Sequence, residues 1–190
     1  QDVNPAQARI ILIEGAAHVL PMFVETLSMK AKAALKKMGV EVWNGSKVAD
    51  IQADHVQVER ASRSERIETH TVIWAAGVRA SSLGQRLAEA TGVALDRGGR
   101  VLVQPDLSVA GHPDIFVIGD LAAYALPDGK FLPGLAPVAI QEGQYVANVI
   151  RCRLENRTPP PPFRYRDLGV MATIGRAAAV VDLHFIRFAG

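Results

Sequence analysis

The sequence predicts an α/β fold, and three observations predict it. Short apolar runs at Arg9–Glu14 (R-I-I-L-I-E), Thr71–Ala75 (T-V-I-W-A) and Ile115–Ile118 (I-F-V-I) have the length and continuity of strands buried on both faces, as in a parallel sheet. Stretches with helical spacing of apolar residues lie between and after them, and glycines and prolines punctuate the joins. The run at Ile115 closes on Gly119 and Asp120. Gly119 removes the side chain where a ligand could approach the backbone. Asp120 sets an acceptor-only carboxylate beyond the carboxyl end of the strand, where open α/β sheets bind ligands, and a polyol would present hydroxyls to it. Alone, the same residues also describe a buried strand whose Asp caps the next turn.

Composition narrows the classes. At 190 residues the chain can build one well-buried domain or two small lobes. With 49% apolar residues, 21% charged residues and a formal charge of +2, it reads as an ordinary soluble globular protein. No dense Lys/Arg stripe calls for a nucleic-acid partner: Lys30, Lys32, Lys36 and Lys37 stand at the spacing of a solvated helix face. The single cysteine, Cys152, excludes an internal disulfide and any CxxC redox or zinc site, which fits a reducing compartment. No apolar run approaches the roughly 20 residues that span a bilayer. Ala177–Val181 and Phe185–Phe188 are separated by Asp182 and His184, so no transmembrane segment is expected. The chain opens on Gln1 with no signal-peptide pattern near it.

Arg9–Glu14 is a short strand closing on an acid. The second strand of a dinucleotide-binding unit ends this way, its carboxylate accepting from adenosine ribose hydroxyls. The glycine fingerprint that belongs about 20 residues earlier would precede Gln1, and no G-x-G-x-x-G occurs in the 190 residues. In Ser28–Met38 the residues Ala31, Ala34, Leu35 and Met38 form a helical stripe, with Gly39 as its stop and Lys36 and Lys37 suited to its last turn. Val40–Trp43 reads as a strand, and Val48–Ile51 with Val56–Val58 as a hairpin around Ala53 and Asp54. Ser62–Glu68 is polar enough to be an exposed turn. Thr71–Ala75 reads as a buried strand, followed by Ala76 and Gly77, small residues that would let a dinucleotide lie against the backbone. Any tight strand-to-helix turn would use them too.

Ser82–Ala90 is a short helix ended by Gly92, and Arg97–Arg100 is a turn, not a phosphate loop, since no helix follows it. His112 reads as a turn residue, with no second metal ligand at useful spacing. Beyond the polar loop Pro127–Lys130, a long helix starts near Pro137, which suits a first helical turn, and reaches about Glu155. Ala136, Ala139, Gly143 and Ala147 would keep one side of it thin enough for a flat ring or another backbone. Pro159–Pro162 is a stiff linker. Phe163–Asp167, Val170–Ile174 and Ala177–Val181 read as strands of a further small β unit, with Gly175 and Arg176 as a turn.

Taken in order, R-I-I-L-I-E (Arg9–Glu14), T-V-I-W-A-A-G-V (Thr71–Val78), H-P-D-I-F-V-I-G-D (His112–Asp120), A-P-V-A-I-Q (Ala136–Gln141) and M-A-T-I-G-R (Met171–Arg176) closely resemble the type II, single-subunit NADH:quinone oxidoreductases. These are flavoproteins with two Rossmann-like dinucleotide-binding domains, and the likeness covers nearly the whole chain. The resemblance implies FAD and NAD(H) as cofactors, hydride transfer from NADH to the flavin, and a membrane quinone as the final acceptor. It implies that Glu14 holds the adenosine ribose of NADH, that Ala76 and Gly77 line the nicotinamide channel, and that Asp120, after Gly119, binds the FAD ribityl chain. Ala136 and Ala139 would run beneath the isoalloxazine, and Gln141 would face the quinone pocket. The family often has A-Q-x-A-x-Q there, and Pro137 replaces the first Gln. The flavin carries the chemistry, so no acid/base or nucleophilic triad is expected.

By the same resemblance, residues 1–92 are the second half of an NADH-binding domain, 93–158 the returning part of an FAD-binding domain, and 159–190 the start of a C-terminal domain. Both phosphate loops would lie before Gln1 and the membrane-binding helices after Gly190, so the parent would sit at the inner, cytoplasmic face of the cell membrane. The 190 residues alone are expected to be inactive, and unpaired sheet edges predict self-association, such as a homodimer. Alternative readings are a ferredoxin reductase or sulfide:quinone reductase of the same superfamily, or a non-catalytic nucleotide-binding or interaction module.

Overall fold

The computed structural model describes residues 8–190; the reading attached to Gln1 lies outside them. The chain divides into two units, one built from the residues up to Ile73 together with Leu168–Gly190, the other from Trp74–Asp167. These cuts follow contact within this chain, whereas the divisions drawn after residues 92 and 158 sort stretches by the domain each would belong to in a longer protein.

In the first unit, β1 (Ile10–Glu14) and β2 (Val40–Asn44) pair in parallel, with Ile10 opposite Val40 and Glu14 opposite Asn44. The crossover between them is α1 (Glu25–Lys37), which buries Leu27, Ser28 and Ala31. Ala34 and Leu35 pack partly against the same core, while Met38 at the end of the predicted stripe is 55% exposed. Helix α1 stops as its sequence demands: Gly39 takes a left-handed φ of 84° and its N–H donates to the Lys36 carbonyl.

β3 (Ser46–Ile51), β4 (His55–Arg60) and β5 (Arg63–Glu68) form an antiparallel meander. The exposed turn expected over Ser62–Glu68 is therefore a strand, and the turn itself is Ala61 and Ser62, both at positive φ. Such a pair matches the twist of a two-residue hairpin. β5 lies at the edge of its sheet and bonds β4 through its backbone, so it needs little apolar surface. Only Ile67 packs against the Trp43, Val56 and Val58 cluster. The last strands, β10 (Val170–Ile174), β11 (Ala178–Asp182) and β12 (Arg187–Ala189), form a second antiparallel sheet. Its Ile174 and Val180 share one core with Val19, Phe23, Leu27, Ala31 and Val42.

The second unit carries α2 (Ser82–Thr91), the parallel pair β6 (Val101–Leu102) and β9 (Ala122–Ala123), the antiparallel pair β7 (Ser108–Val109) and β8 (His112–Phe116), and the long α3 (Ala136–Leu154). Ser81 Oγ accepts from Leu83 N–H at the start of α2, and Gly92 ends the helix at φ 75°. Pro137 stands in the first turn of α3, as its missing N–H favours.

Three expected strands come out differently. Thr71–Ala75 forms no strand; Ile73 is 87% and Trp74 62% exposed. The doubly buried strand expected at Ile115–Ile118 is replaced by β8, which pairs antiparallel with β7 and leaves Ile118 exposed. Both need parallel neighbours to satisfy their backbones and cover two faces, and no described strand supplies them. Phe163–Asp167 forms no strand, and its first residue bonds elsewhere: Phe163 N–H donates to the Pro105 carbonyl at 2.9 Å and Tyr124 O–H to the Phe163 carbonyl at 2.6 Å.

The turn after α2 is organised by Asp96. Its Oδ1 accepts from Gly98 and Arg100 N–H, both at 2.8 Å, and its Oδ2 accepts from Arg100 Nε at 2.7 Å. Arg100 also donates to the Leu132 carbonyl at 3.1 Å. Burial works against the charged form of Asp96, yet the bonds from Arg100 and Gly98 outweigh it and hold the carboxyl below its usual range. Asp96→Ala is expected to cost about 2 kcal/mol by the usual worth of hydrogen bonds to a charged group. A lowered folded pKa means that this contribution is full above the unfolded carboxyl range, about pH 4, and is lost as the pH falls through the folded value. Urea melts of both proteins at pH 7 and at about pH 3 check it: the gap should narrow in the acid.

Candidate functional site

The sequence sets a helix against a turn in the second unit, and the candidate site is where they meet. After β8 the chain makes one short 3-10 turn, Gly119–Leu121. Gly119 takes φ 66°, a conformation that strains any residue with a Cβ. A Cβ built on Gly119 would also lie 3.5 Å from that of Ala139 on α3. So Gly119 serves the backbone conformation and the approach of a helix, as well as leaving the turn bare. On the other side, a Cβ on Gly134 would lie 3.0 Å from Asp120 Oδ1, so the carboxylate rests in space that Gly134 leaves free. Asp120 is exposed and accepts no hydrogen bond among the described residues.

The face of α3 toward this turn is thin only in part. Ala139 meets Gly119, and a Cβ on Gly143 would lie 3.8 Å from Ile118 Cδ1, whereas Ala136 and Ala147 are exposed. The residue that makes the strongest contact is one the sequence reading passed over. Glu142 is 1% exposed, and its Oε2 accepts from Gly119 N–H at 2.6 Å. Burial, together with the Asp120 charge, pushes its carboxyl above the usual range against the pull of the Gly119 bond. The signal was in the pattern: Val138, Glu142, Val146 and Val149 form the buried stripe of α3, with an acid in second place.

Gln141, one position earlier, points its amide at a different segment. Its Oε1 accepts from Arg166 N–H and its Nε2 donates to the Arg166 carbonyl, each at 2.9 Å. This two-point bond imitates a strand partner and pins the extended run after the prolines. Gln141 also stands at the end of an open groove of about 730 Å³ between α3 and Pro160–Pro162, with Tyr145 and Phe163 in its walls.

Glu14 belongs to the other unit. It ends β1, and its Oε1 accepts from Ala16 N–H at 2.8 Å, which shapes the turn beyond the strand. Across the parallel pair, Asn44 Nδ2 donates to the Ala17 carbonyl at 3.0 Å, while its buried Oδ1 has no partner among the described residues. A carboxylate at the carboxyl ends of parallel strands fits a ligand rich in hydroxyl donors, as a nucleoside is. The free Asp120 carboxylate above a bare glycine turn likewise fits a polyhydroxyl chain. Ala76 and Gly77 are exposed in an irregular stretch, Gly77 at φ 107°, and no element covers them. No group of three or more metal-ligating side chains occurs among the described residues, and no described helix is long and apolar enough to cross a membrane.

Comparison with known proteins adds the following. Residues 3–143 match the pyridine nucleotide-disulphide oxidoreductase family. The chain is 41% identical over 191 residues to a type II NADH:quinone oxidoreductase of Mycobacterium tuberculosis, covering 99% of this chain and 40% of that protein. It is 33% identical over 175 residues to one from Staphylococcus saprophyticus, covering 91% of this chain and 42% of the relative. The chain thus spans about two fifths of the length of these relatives. Among solved structures, NDH2 from Plasmodium falciparum in complex with NADH superposes with a TM-score of 0.82 at 18% identity, over 96% of this chain and 51% of that one. An FAD-dependent pyridine nucleotide-disulphide oxidoreductase from Desulfovibrio vulgaris gives 0.64 at 26% identity, over 91% and 42%.

Replacing Gln141 tests the local geometry. Gln141→Ala should release the Arg166 amide, speeding its hydrogen exchange by about tenfold for a bond worth about 1.4 kcal/mol, with α3 amides unchanged. Exchange followed by NMR reads both.

Proposed function

The chain belongs to the pyridine nucleotide-disulphide oxidoreductase family, and from that membership we propose that it forms part of an FAD-dependent NADH dehydrogenase whose electrons pass to a quinone. The observation that carries the reading is the free Asp120 carboxylate, exposed beside Gly134 on a glycine turn that α3 holds from behind. Relatives that share up to 41% of its residues and are named as NADH:quinone oxidoreductases support the choice of substrates. When bound, FAD would take a hydride from NADH and give up two electrons to the quinone.

The chain's own residues bind and orient. Asp120 would accept from the ribityl hydroxyls, and Ala136 and Ala139 in the first turns of α3 would run beneath the isoalloxazine. The partial positive charge at the start of that helix would favour negative charge on the ring edge nearest it. Glu14 accepts from the adenosine ribose hydroxyls of NADH, and a carboxylate there repels the 2′-phosphate of NADPH. Ala76 and Gly77 border the nicotinamide, and Gln141 borders the quinone pocket. Gln141 does so with its amide already bonded to Arg166, so it shapes that pocket through the segment it pins. Cys152 is the sole cysteine of the 190 residues and is buried, so these residues by themselves supply no disulfide.

On this reading residues 1–92 belong to an NADH-binding domain, 93–158 to an FAD-binding domain and 159–190 to a C-terminal domain, in an enzyme at the inner face of the cell membrane. The 190 residues hold no G-x-G-x-x-G to cradle a pyrophosphate, so by themselves they should hold FAD weakly and show little turnover. Flavin fluorescence quenching on titration with the chain tests the assignment. Asp120→Asn should weaken FAD binding about tenfold or more, as expected for losing hydrogen bonds to a charged group. Equal affinity of the two proteins would remove Asp120 from the cofactor site. NADH-driven bleaching of flavin retained by the unmodified chain would show instead that the missing loops are dispensable.

A further inference from the structure

A carboxyl group on the buried face of a helix needs a reason to be there. Glu142 lies between Val138 and Val146 in the apolar stripe of α3, where an aliphatic side chain would pack without desolvating a charge. Its Oε2 reaches the Gly119 N–H at 2.6 Å, a short bond to the backbone of a turn that has left-handed φ and only three residues of regular structure. Asp120 follows directly, exposed and with no hydrogen bond among the described residues. Gly134 leaves room beside that carboxylate, and no hydrogen bond among the described residues fixes its direction.

We propose that Glu142 is the positioning residue of the Gly119–Asp120 turn: by holding Gly119 N–H from inside the helix, it fixes the backbone from which Asp120 presents its carboxylate to a polyol. The proposal rests on the reading of Asp120 as a ribityl-binding group for its purpose, though the hold on Gly119 stands independently of it. A hydrogen-bonding side chain is required because Gly119 N–H is turned toward α3, away from any strand partner that could accept it. The carboxyl form adds a second property. Asp120 is the charged side chain that acts on Glu142, and Gly119 is the backbone donor facing it. Burial and the Asp120 charge both push the Glu142 carboxyl above its usual range, against the pull of the Gly119 bond.

The test uses ¹⁵N-labelled chain in four forms: unmodified, Glu142→Gln, Glu142→Ala and Asp120→Asn. The Gly119 amide proton should move with pH in the unmodified chain, with its midpoint above the ordinary glutamate range of about 4.3. Asp120→Asn should lower that midpoint, and Glu142→Gln should abolish the titration while keeping the amide protected. Glu142→Ala should speed Gly119 exchange at least tenfold and drop the Asp120 amide order parameter from a rigid value of about 0.85 toward 0.6, with Gln rescuing both. Should Glu142→Ala not fold, the titration and its loss in Glu142→Gln decide the matter. A Gly119 amide indifferent to pH, or an Asp120 equally rigid in Glu142→Ala, would overturn the proposal. Failure of the cofactor reading looks different: Asp120→Asn would leave FAD affinity unchanged while the Gly119 results stood.

Discussion

A single hydrogen bond, from Gly119 N–H to Glu142, joins the one turn that displays a free carboxylate to the one long helix of its unit. Each partner needs the other. Gly119 adopts a conformation in which its N–H cannot enter a ladder, and Glu142 is buried where an unpaired acceptor would cost roughly 1–3 kcal/mol. Small residues permit the contact: Ala139 and Gly143 let the turn come close, and Gly134 clears the space beside Asp120. Size, conformation and polarity thus act on the same few residues, and the exposed position of Asp120 follows from all three.

How far the sequence revealed this depends on where each segment finds its partners. Helices α1, α2 and α3 carry their own signals, in apolar spacing and in Gly39 and Gly92 at two ends; α2 and α3 form where those signals put them, while α1 begins at Glu25, ahead of the expected Ser28. β1 and β2 pair in parallel across the α1 crossover, and the strands of the first hairpin pair with each other. Thr71–Ala75 and Ile115–Ile118 carry equally strong apolar runs, yet a run specifies burial without specifying a partner. Thr71–Ala75 meets no described strand and only the first part of Ile115–Ile118 pairs, with β7, so Ile73, Trp74 and Ile118 remain exposed. β5 fails in the opposite sense, because an edge strand needs only one neighbour and can be charged along its length.

The candidate site shows the same division. Asp120 and Gly119 were legible because a carboxylate after a strand and a bare glycine are local patterns. Glu142 was not, since a lone acid in a helix is ordinarily solvated. Its meaning appears only when Val138, Val146 and Val149 are seen to bury the same face. Gln141 was legible as a polar group near a pocket, but not as a mimic of a strand partner, which requires the course of Arg166. Asn44, whose Oδ1 lies buried and unpaired opposite Glu14, gave no sequence signal at all.

Adjacent residues on α3 therefore do opposite jobs of one kind. A helix turns about 100° per residue, so Gln141 and Glu142 face different neighbours, and each spends its side chain on backbone: one on Arg166, the other on Gly119. Both hold segments that lack a strand partner, and both hold them beside a surface proposed to carry cofactor or quinone. Loss of Gln141 should therefore disturb the groove side and leave Asp120 in place, while loss of Glu142 should do the reverse. The two effects should add when combined, since additivity is expected of side chains that share no partner. A double variant whose exchange rates at Gly119 and Arg166 match those of the two single variants would establish that α3 holds its two sides independently. A departure from that sum would mean that strain passes along the helix from one to the other.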